Sequence, residues 1–127
     1  WEYAARAGSS TRYWWGNELG NNKANCAACG SEWSNKKTAP VGSYSANPFG
    51  LYDTIGNVWE WTEDCWSENY FKASTDASAW KKEDCQQRVL RGGSWYYNPR
   101  GSRSATRSFH HNNHGYSHYG FRIAQDF

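Results

Sequence analysis

Between Tyr96 and Ala124 the chain carries no Lys, Glu or Gln, although the preceding residues carry Lys and Glu freely, and Met is absent throughout. In their place stand Tyr, His, Asn, Ser, Gly and Arg. Long apolar runs are also missing. None exceeds four residues, too short for a membrane-spanning helix. Ile and Leu are scarce, so an ordinary aliphatic core is excluded, while nine Trp, nine Tyr and five Phe make up 18% of the chain. The core is therefore expected to be aromatic, with Trp N–H and Tyr O–H groups hydrogen-bonded within an irregular backbone. Strong charge is lacking as well. A net charge of +2, with no basic run longer than Lys36-Lys37 or Lys81-Lys82, gives no electrostatic footprint for nucleic acid.

At 127 residues one domain is expected, large enough to bury a core. Residues Trp1 to Ala7 have the composition of a helix, with Gly8 as its stop. The opening Trp1-Glu2-Tyr3 is not a signal peptide, so targeting information, if there is any, is expected to lie outside these residues. Turn signals dominate from Ser9 to Asn47, and strands are expected at Val58 to Thr62, Arg88 to Arg91 and Gly120 to Ala124. Residues Glu63 to Gln87 form a polar excursion bracketed by Cys65 and Cys85. The class is α+β, with a small antiparallel sheet and extensive loops.

The stretch Ser108 to Tyr119 holds all four histidines. Tyr supplies rigid amphipathic contact area, and Ser, Gly and Asn supply adaptable hydrogen bonding, so the composition fits a recognition surface. Clustered imidazoles also suit Zn, Cu or Ni. The spacing of His110, His111, His114 and His118 does not by itself bring three together, and surface recognition is the expectation. Cys26-Ala27-Ala28-Cys29 has the spacing of a redox pair or half a zinc site. Two disulfides, or one plus a free pair, are simpler, and a Cys65 to Cys85 bridge would close the polar excursion. Asp53, Asn57 and Glu60 place hard oxygens along a turn entering a strand, a pattern suited to calcium, unless they satisfy backbone donors or pair with an arginine. Arg100, Arg103, Arg107 and Arg122 are expected to hold loop carbonyls with their five-donor guanidinium groups.

Four segments recur in order: Trp1-Glu2-Tyr3-Ala4-Ala5-Arg6-Ala7-Gly8, Phe49-Gly50-Leu51-Tyr52-Asp53-Thr54-Ile55-Gly56-Asn57-Val58-Trp59-Glu60-Trp61, Arg91-Gly92-Gly93-Ser94-Trp95 and Gly120-Phe121-Arg122. Together they resemble the formylglycine-generating enzyme (sulfatase-modifying factor) family. The resemblance implies a C-type-lectin-like fold, with residues 1–127 as the C-terminal part of one domain whose N-terminal strand and helix are not included. It also implies calcium held by the Asp53 and Glu60 side chains and the Gly56 and Val58 carbonyls, with a weaker second site around Asn25 and Cys26. The family's oxidation of a substrate cysteine uses copper on two thiolates downstream of the Gly-Gly-Ser segment. No cysteine follows Cys85, so neither copper nor that reaction is expected here.

From Arg91 to Ala124 the chain also resembles the variable region of diversity-generating retroelement proteins, which share the lectin-like fold. Those elements mutate adenines in Asn codons, and the products cannot encode Lys, Glu, Gln, Met or Trp. The resemblance marks Tyr96, Tyr97, Asn98, Gly101, Thr106, Ser108, Phe109, His110, His111, His114, Tyr116, Ser117 and His118 as ligand-binding positions. It implies a non-enzymatic variable protein shown at the cell surface or outside the cell to a protein or cell-surface ligand. An enzyme-like paralogue is the alternative. On either reading Trp59, Trp61, Trp95 and Phe121 are expected to be buried scaffold.

Overall fold

The computed structural model describes residues 1–71, 73–76 and 78–125. Among these residues there is one α-helix, α1 (Glu2–Arg6), with Glu2 in the first turn and Arg6 in the last, matching the helix dipole, and the two pair at 2.8 Å. Five residues cannot hold a helix alone. Tertiary contacts hold this one, because Asn47 Nδ2 donates to the carbonyls of Ala4 (2.8 Å) and Ala5 (3.3 Å), and Ala5 is buried. The left-handed exit begins at Ala7 (φ 47°), one residue earlier than the expected stop at Gly8.

No strand forms from residue 8 to residue 58. The loops here pack around Tyr13, Ala24, Cys26, Cys29 and Ile55, with Trp14, Trp15 and Leu19 against them. Cys26 and Cys29 are disulfide-bonded within this cluster. An irregular backbone still needs partners for its buried polar groups. Side-chain amides supply several: Asn57 Oδ1 accepts from Ala39 N (2.8 Å), and Asn47 Oδ1 accepts from Phe49 N (3.0 Å) and Leu51 N (3.1 Å).

Four strands make the sheet: β1 (Trp59–Cys65), β2 (Gln87–Arg91), β3 (Arg107–His111) and β4 (Tyr119–Gly120). Their order is β3-β2-β1-β4. The β3/β2 and β2/β1 pairs are antiparallel, but β4 runs parallel to β1, so the sheet is mixed where an antiparallel one was expected. The third expected strand, Gly120 to Ala124, survives only at its start. Arg122 leaves the ladder to reach Glu60, and its neighbours Phe121 and Ile123 face outward. Phe121 is accordingly 76% exposed, not buried as expected.

The buried-aromatic expectation holds only in part. Trp59 is enclosed, but Trp61, Trp95 and the other tryptophans are half-buried, and the interior is completed by Ala5, Ala24, Val89, Leu90 and the Cys26–Cys29 pair. The second disulfide, Cys65–Cys85, closes the excursion between β1 and β2. No cysteine among the four is free, which removes the zinc half-site and free-thiol readings.

Gly92 and Gly93 take positive φ where β2 turns toward the loop, and the turn cannot admit a side chain. A Cβ on Gly93 (φ 79°) would lie 2.1 Å from Ser102 Oγ and 2.7 Å from Ser102 Cα. Left-handed strain and steric overlap then add. Gly93→Ala is expected to cost at least about 1–3 kcal/mol in urea unfolding, and a variant as stable as the parent would contradict this packing.

Candidate functional site: an aromatic and imidazole face

Two segments form the face. The first leaves β2 at the Gly92-Gly93 turn and is fixed by backbone bonds: Trp95 N to Asn57 O (2.9 Å), Tyr97 N to Ser94 O (3.0 Å) and Ala27 N to Tyr97 O (2.8 Å). Asn98 then caps a 3₁₀ turn (Pro99–Ser102) through its side-chain oxygen. The second segment is β3, its turn at Asn112-Asn113, and the loop into β4. Trp59 N donates to His118 O (2.8 Å), tying that loop to the edge of β1.

His118 is the bridge between the segments. Its ring lies 5.9 Å from both Tyr96 and Tyr97, 5.5 Å from Tyr116 and 4.7 Å from Tyr119. His110 continues the chain of rings, 5.2 Å from Tyr116, 5.7 Å from Tyr119 and 5.2 Å from His114. The result is a continuous ring surface from Tyr96 to His114. Tyr97 anchors it from below, edge-on to the buried Trp59 at 5.4 Å.

None of the thirteen ligand-binding positions expected from the sequence is buried. Tyr96, Tyr97, Asn98, Phe109, His111, His114, Tyr116 and Ser117 are exposed, and Gly101, Thr106, Ser108, His110 and His118 are half-buried. They do not all share one surface. Strand alternation turns Phe109 away from His110, and Phe109 stacks on Trp66 of the excursion at 4.5 Å. Thr106 is tied to the 3₁₀ turn, its hydroxyl donating to Arg100 O at 3.1 Å. Tyr119, which ends the Ser108 to Tyr119 stretch but is not among the thirteen positions, also joins the ring surface. Trp66 and Tyr70 of the excursion were unmarked in the sequence because they precede the compositional shift.

Arg103, Arg107 and Arg122 hold the backbone beneath as expected, whereas Arg100 takes part through its carbonyl, which accepts from Arg103 and Thr106. Arg103 donates to Arg100 O (3.0 Å), and Arg122 to Tyr52 O (3.0 Å). Arg107 donates to Ser67 O (2.7 Å) while lying between the rings of Trp66 (4.6 Å) and Tyr70 (4.5 Å), so cation–π contacts pin the excursion to β3.

Asp53, Val58 and Glu60 line one hollow with Arg122. Asp53 is left-handed (φ 56°), its Oδ2 accepts from Gly42 N at 2.8 Å, and its Oδ1 is shielded without a partner in the protein. Glu60 is committed elsewhere, accepting from Trp1 Nε1 (2.6 Å) and from both Nε and a terminal nitrogen of Arg122. Gly56 is buried, its N–H given to Gly92 O. At the weaker second position, the Asn25 side-chain oxygen is also shielded and unpartnered, and Cys26 is disulfide-bonded. Among the described residues no three acidic, His or Cys side chains stand as a ready cage.

A small mixed sheet carrying long, hydrogen-bonded loops, one helix and an aromatic face belongs to the α+β, C-type-lectin-like class. Within it the chain belongs to the family of the sulfatase-modifying factor enzyme 1-like domain, whose model matches residues 1–127. It is 38% identical over 141 residues to the formylglycine-generating enzyme of Streptomyces coelicolor, covering 99% of this chain and 44% of that one. It is 40% identical over 130 residues to the serine/threonine-protein kinase pkn1 of Chlamydia caviae, covering 98% of this chain and 20% of the kinase. Among solved structures it resembles PvdO from Pseudomonas aeruginosa (TM-score 0.83, 36% identity, 94% of this chain and 47% of that). It also resembles Treponema denticola variable protein 1 (TM-score 0.75, 28% identity, 95% of this chain and 43% of that). The chain thus spans less than half the length of each of these relatives.

Burial among Tyr96, Tyr97, Tyr116 and Tyr119, followed by the nearby His110, holds the His118 imidazole below its ordinary value of 6.5. The unfolded chain then binds the proton more readily than the folded one, so stability falls as pH drops through about 6.5 and below. His118→Gln is expected to flatten that part of the melting-temperature profile between pH 7 and pH 5. An unchanged profile would mean that His118 titrates as if free.

Proposed function

We propose that this domain is a non-enzymatic, ligand-binding protein of the variable type, presenting the Tyr96 to Tyr119 face to a protein or cell-surface ligand. The observation that carries this reading is the continuous ring surface of Tyr96, Tyr97, His118, Tyr116, His110 and His114 on a hydrogen-bonded scaffold. Rigid aromatic anchors are the side chains that dominate binding energy at protein interfaces. Likeness to a variable protein supports the reading. So does the cysteine chemistry: soft copper needs thiolates, and all four sulfurs are bound in disulfides. Paired cysteines also favour an oxidising location, at the cell surface or outside the cell. Nucleic acid is not part of the proposal, given a net charge of +2 without a basic stripe.

The second reading, an enzyme-like paralogue, is favoured by 38% identity to a formylglycine-generating enzyme. One assay separates the two. Incubated with copper, oxygen and a sulfatase-type cysteine peptide, the protein is expected to leave the cysteine unchanged, and formylglycine in the product would overturn the binding assignment. In parallel, Tyr97→Ala with Tyr116→Ala is expected to weaken capture of a surface-protein ligand by at least tenfold, roughly 1.4 kcal/mol. Undiminished capture would sink the positive half.

Calcium is proposed as a structural ligand, with Asp53 Oδ1 the carboxylate oxygen left for it and the Gly56 and Val58 carbonyls beside it, while Glu60, expected from the sequence as the second carboxylate, is held by Trp1 and Arg122. Because Glu60 already neutralises Arg122, Asp53 carries most of the demand. A ligand bound only by the folded state raises the melting temperature by mass action. Millimolar calcium is expected to raise it and chelator to lower it, with Asp53→Ala abolishing both; indifference in the parent protein would remove calcium from the account.

A further inference from the structure

Arg91 on β2 and Arg107 on β3 stand directly opposite each other in the ladder. Like charges so placed repel, and the nearby carboxylates do little to relieve them. Glu2 divides its oxygens between Arg6 (2.8 Å) and Arg91 (3.2 Å), while Glu60, opposite Arg91 on β1, is given to Trp1 and Arg122. Among the described residues Arg107 forms no ion pair, and it donates one hydrogen bond, to Ser67 O. Cationic charge is in surplus here.

Both arginines border one space. Strand alternation sends Arg107 and Phe109 to one side of the sheet and His110 to the other, and the excursion after β1 covers the first side through Trp66 and Tyr70. It does not fill that side. A cavity of about 180 Å³ remains, with Arg91, Arg107, Asp64, Tyr70, Trp80 and Val89 in its walls. Arg91 is 8% exposed and donates to Thr106 O and the Tyr70 hydroxyl, both at 3.2 Å, so its charge is fixed in place. Asp64 Oδ1 accepts from Trp80 N at 3.0 Å, and no ion pair joins Asp64 to either arginine.

We propose that this cavity binds a small zwitterion, an α-amino acid with a short apolar side chain. The surplus guanidinium charge suits its carboxylate, because planar N–H donors match the two oxygens of that group. Asp64, in the same walls, suits its ammonium. Tyr70, Trp80 and Val89 supply the apolar surface for the side chain. A phosphate dianion is a poorer match, since the Asp64 carboxylate repels the second negative charge. Size points the same way. At roughly 30 Å³ for each water-sized group the cavity holds about six, the heavy-atom count of alanine, and it falls short of the roughly 300 Å³ at which drug-sized sites begin.

This site lies across the sheet from the ring face and does not rest on the function proposed for that face. By calorimetry the protein is expected to bind one L-alanine per chain, with acetate and ethylammonium, each carrying half of the zwitterion, at least about tenfold weaker. Asp64→Asn keeps a carbonyl oxygen for Trp80 N but loses the charge, so it is expected to bind L-alanine no better than acetate. Arg107→Gln is expected to weaken L-alanine and acetate alike by about tenfold. Circular dichroism separates a lost ligand from a lost fold in that variant, and the Asp64→Asn comparison decides independently of it. The Tyr97→Ala/Tyr116→Ala protein, altered only on the ring face, is expected to bind L-alanine unchanged. Absence of L-alanine binding by the parent protein overturns the proposal. So do acetate binding as tight as L-alanine, an undiminished preference for L-alanine in Asp64→Asn, undiminished binding by folded Arg107→Gln, and loss of L-alanine binding in the ring-face variant.

Discussion

The carboxylate of Glu60 is the constraint on which the rest of the structure depends. At 4% exposure it lies in the sheet between β2 and β4, where an uncompensated charge would be very costly. Its oxygens receive the indole N–H of Trp1 and the guanidinium of Arg122, and Arg122 reaches on to the carbonyl of Tyr52. The first residue, β1, the loop before it and the chain after β4 are thus drawn to one point. Hydrogen bonding to Glu60 is also the main reason the Arg122 guanidinium is held above its ordinary value despite burial. The functional consequence is positional. With Arg122 fixed, Tyr119-Gly120 must lie parallel to Trp59-Glu60, and that pairing carries His118 to Tyr96 and Tyr97.

Scaffold and face are consequently made of different materials. Beneath the surface, buried Asn25, Asn47 and Asn57 and the side chains of Arg91, Arg107 and Arg122 satisfy backbone carbonyls and amides that regular structure would have paired. Ring contacts near 5 to 6 Å make up the face, and they constrain one another only weakly. Such a division lets the face change without disturbing the interior. Phe109 on Trp66, Tyr97 on the buried Trp59, and Asn98 and Thr106 at the 3₁₀ turn are exceptions, drawn into the packing beneath.

Much of this was legible in the sequence. The Gly-Asn-Val-Trp-Glu-Trp block marked β1, and the Arg-Gly-Gly-Ser-Trp segment marked the turn that its two left-handed glycines make. The loss of Lys, Glu and Gln after Trp95 marked the outward-facing stretch. Three features were not legible. β3 lies inside that stretch, where Arg107-Ser108-Phe109-His110-His111 shows no hydrophobic alternation, and its pairing with β2 is a tertiary fact. The apolar Phe121 and Ile123 suggest burial, but Arg122 takes the inward position and displaces them. Glu60 could be read as a calcium ligand or an arginine partner, and only the return of the chain after β4 brings Arg122 within reach.

The central claim, that a polar-networked scaffold carries an energetically independent face, is tested most directly by thermal melts of two variants. In one, Tyr96, Asn98, His111, His114, Tyr116 and Ser117 are all replaced by serine or, where serine already stands, by alanine. In the other, Glu60 alone becomes Gln. Exposed substitutions are worth about 0.5 kcal/mol each with mixed sign, so the six-fold variant should lose less than about 5 °C. Because Arg122 keeps a third of its side chain exposed, breaking the pair should cost about 2–3 kcal/mol, a fall on the order of 10 °C. A six-fold variant that melts below the Glu60→Gln protein would contradict the account.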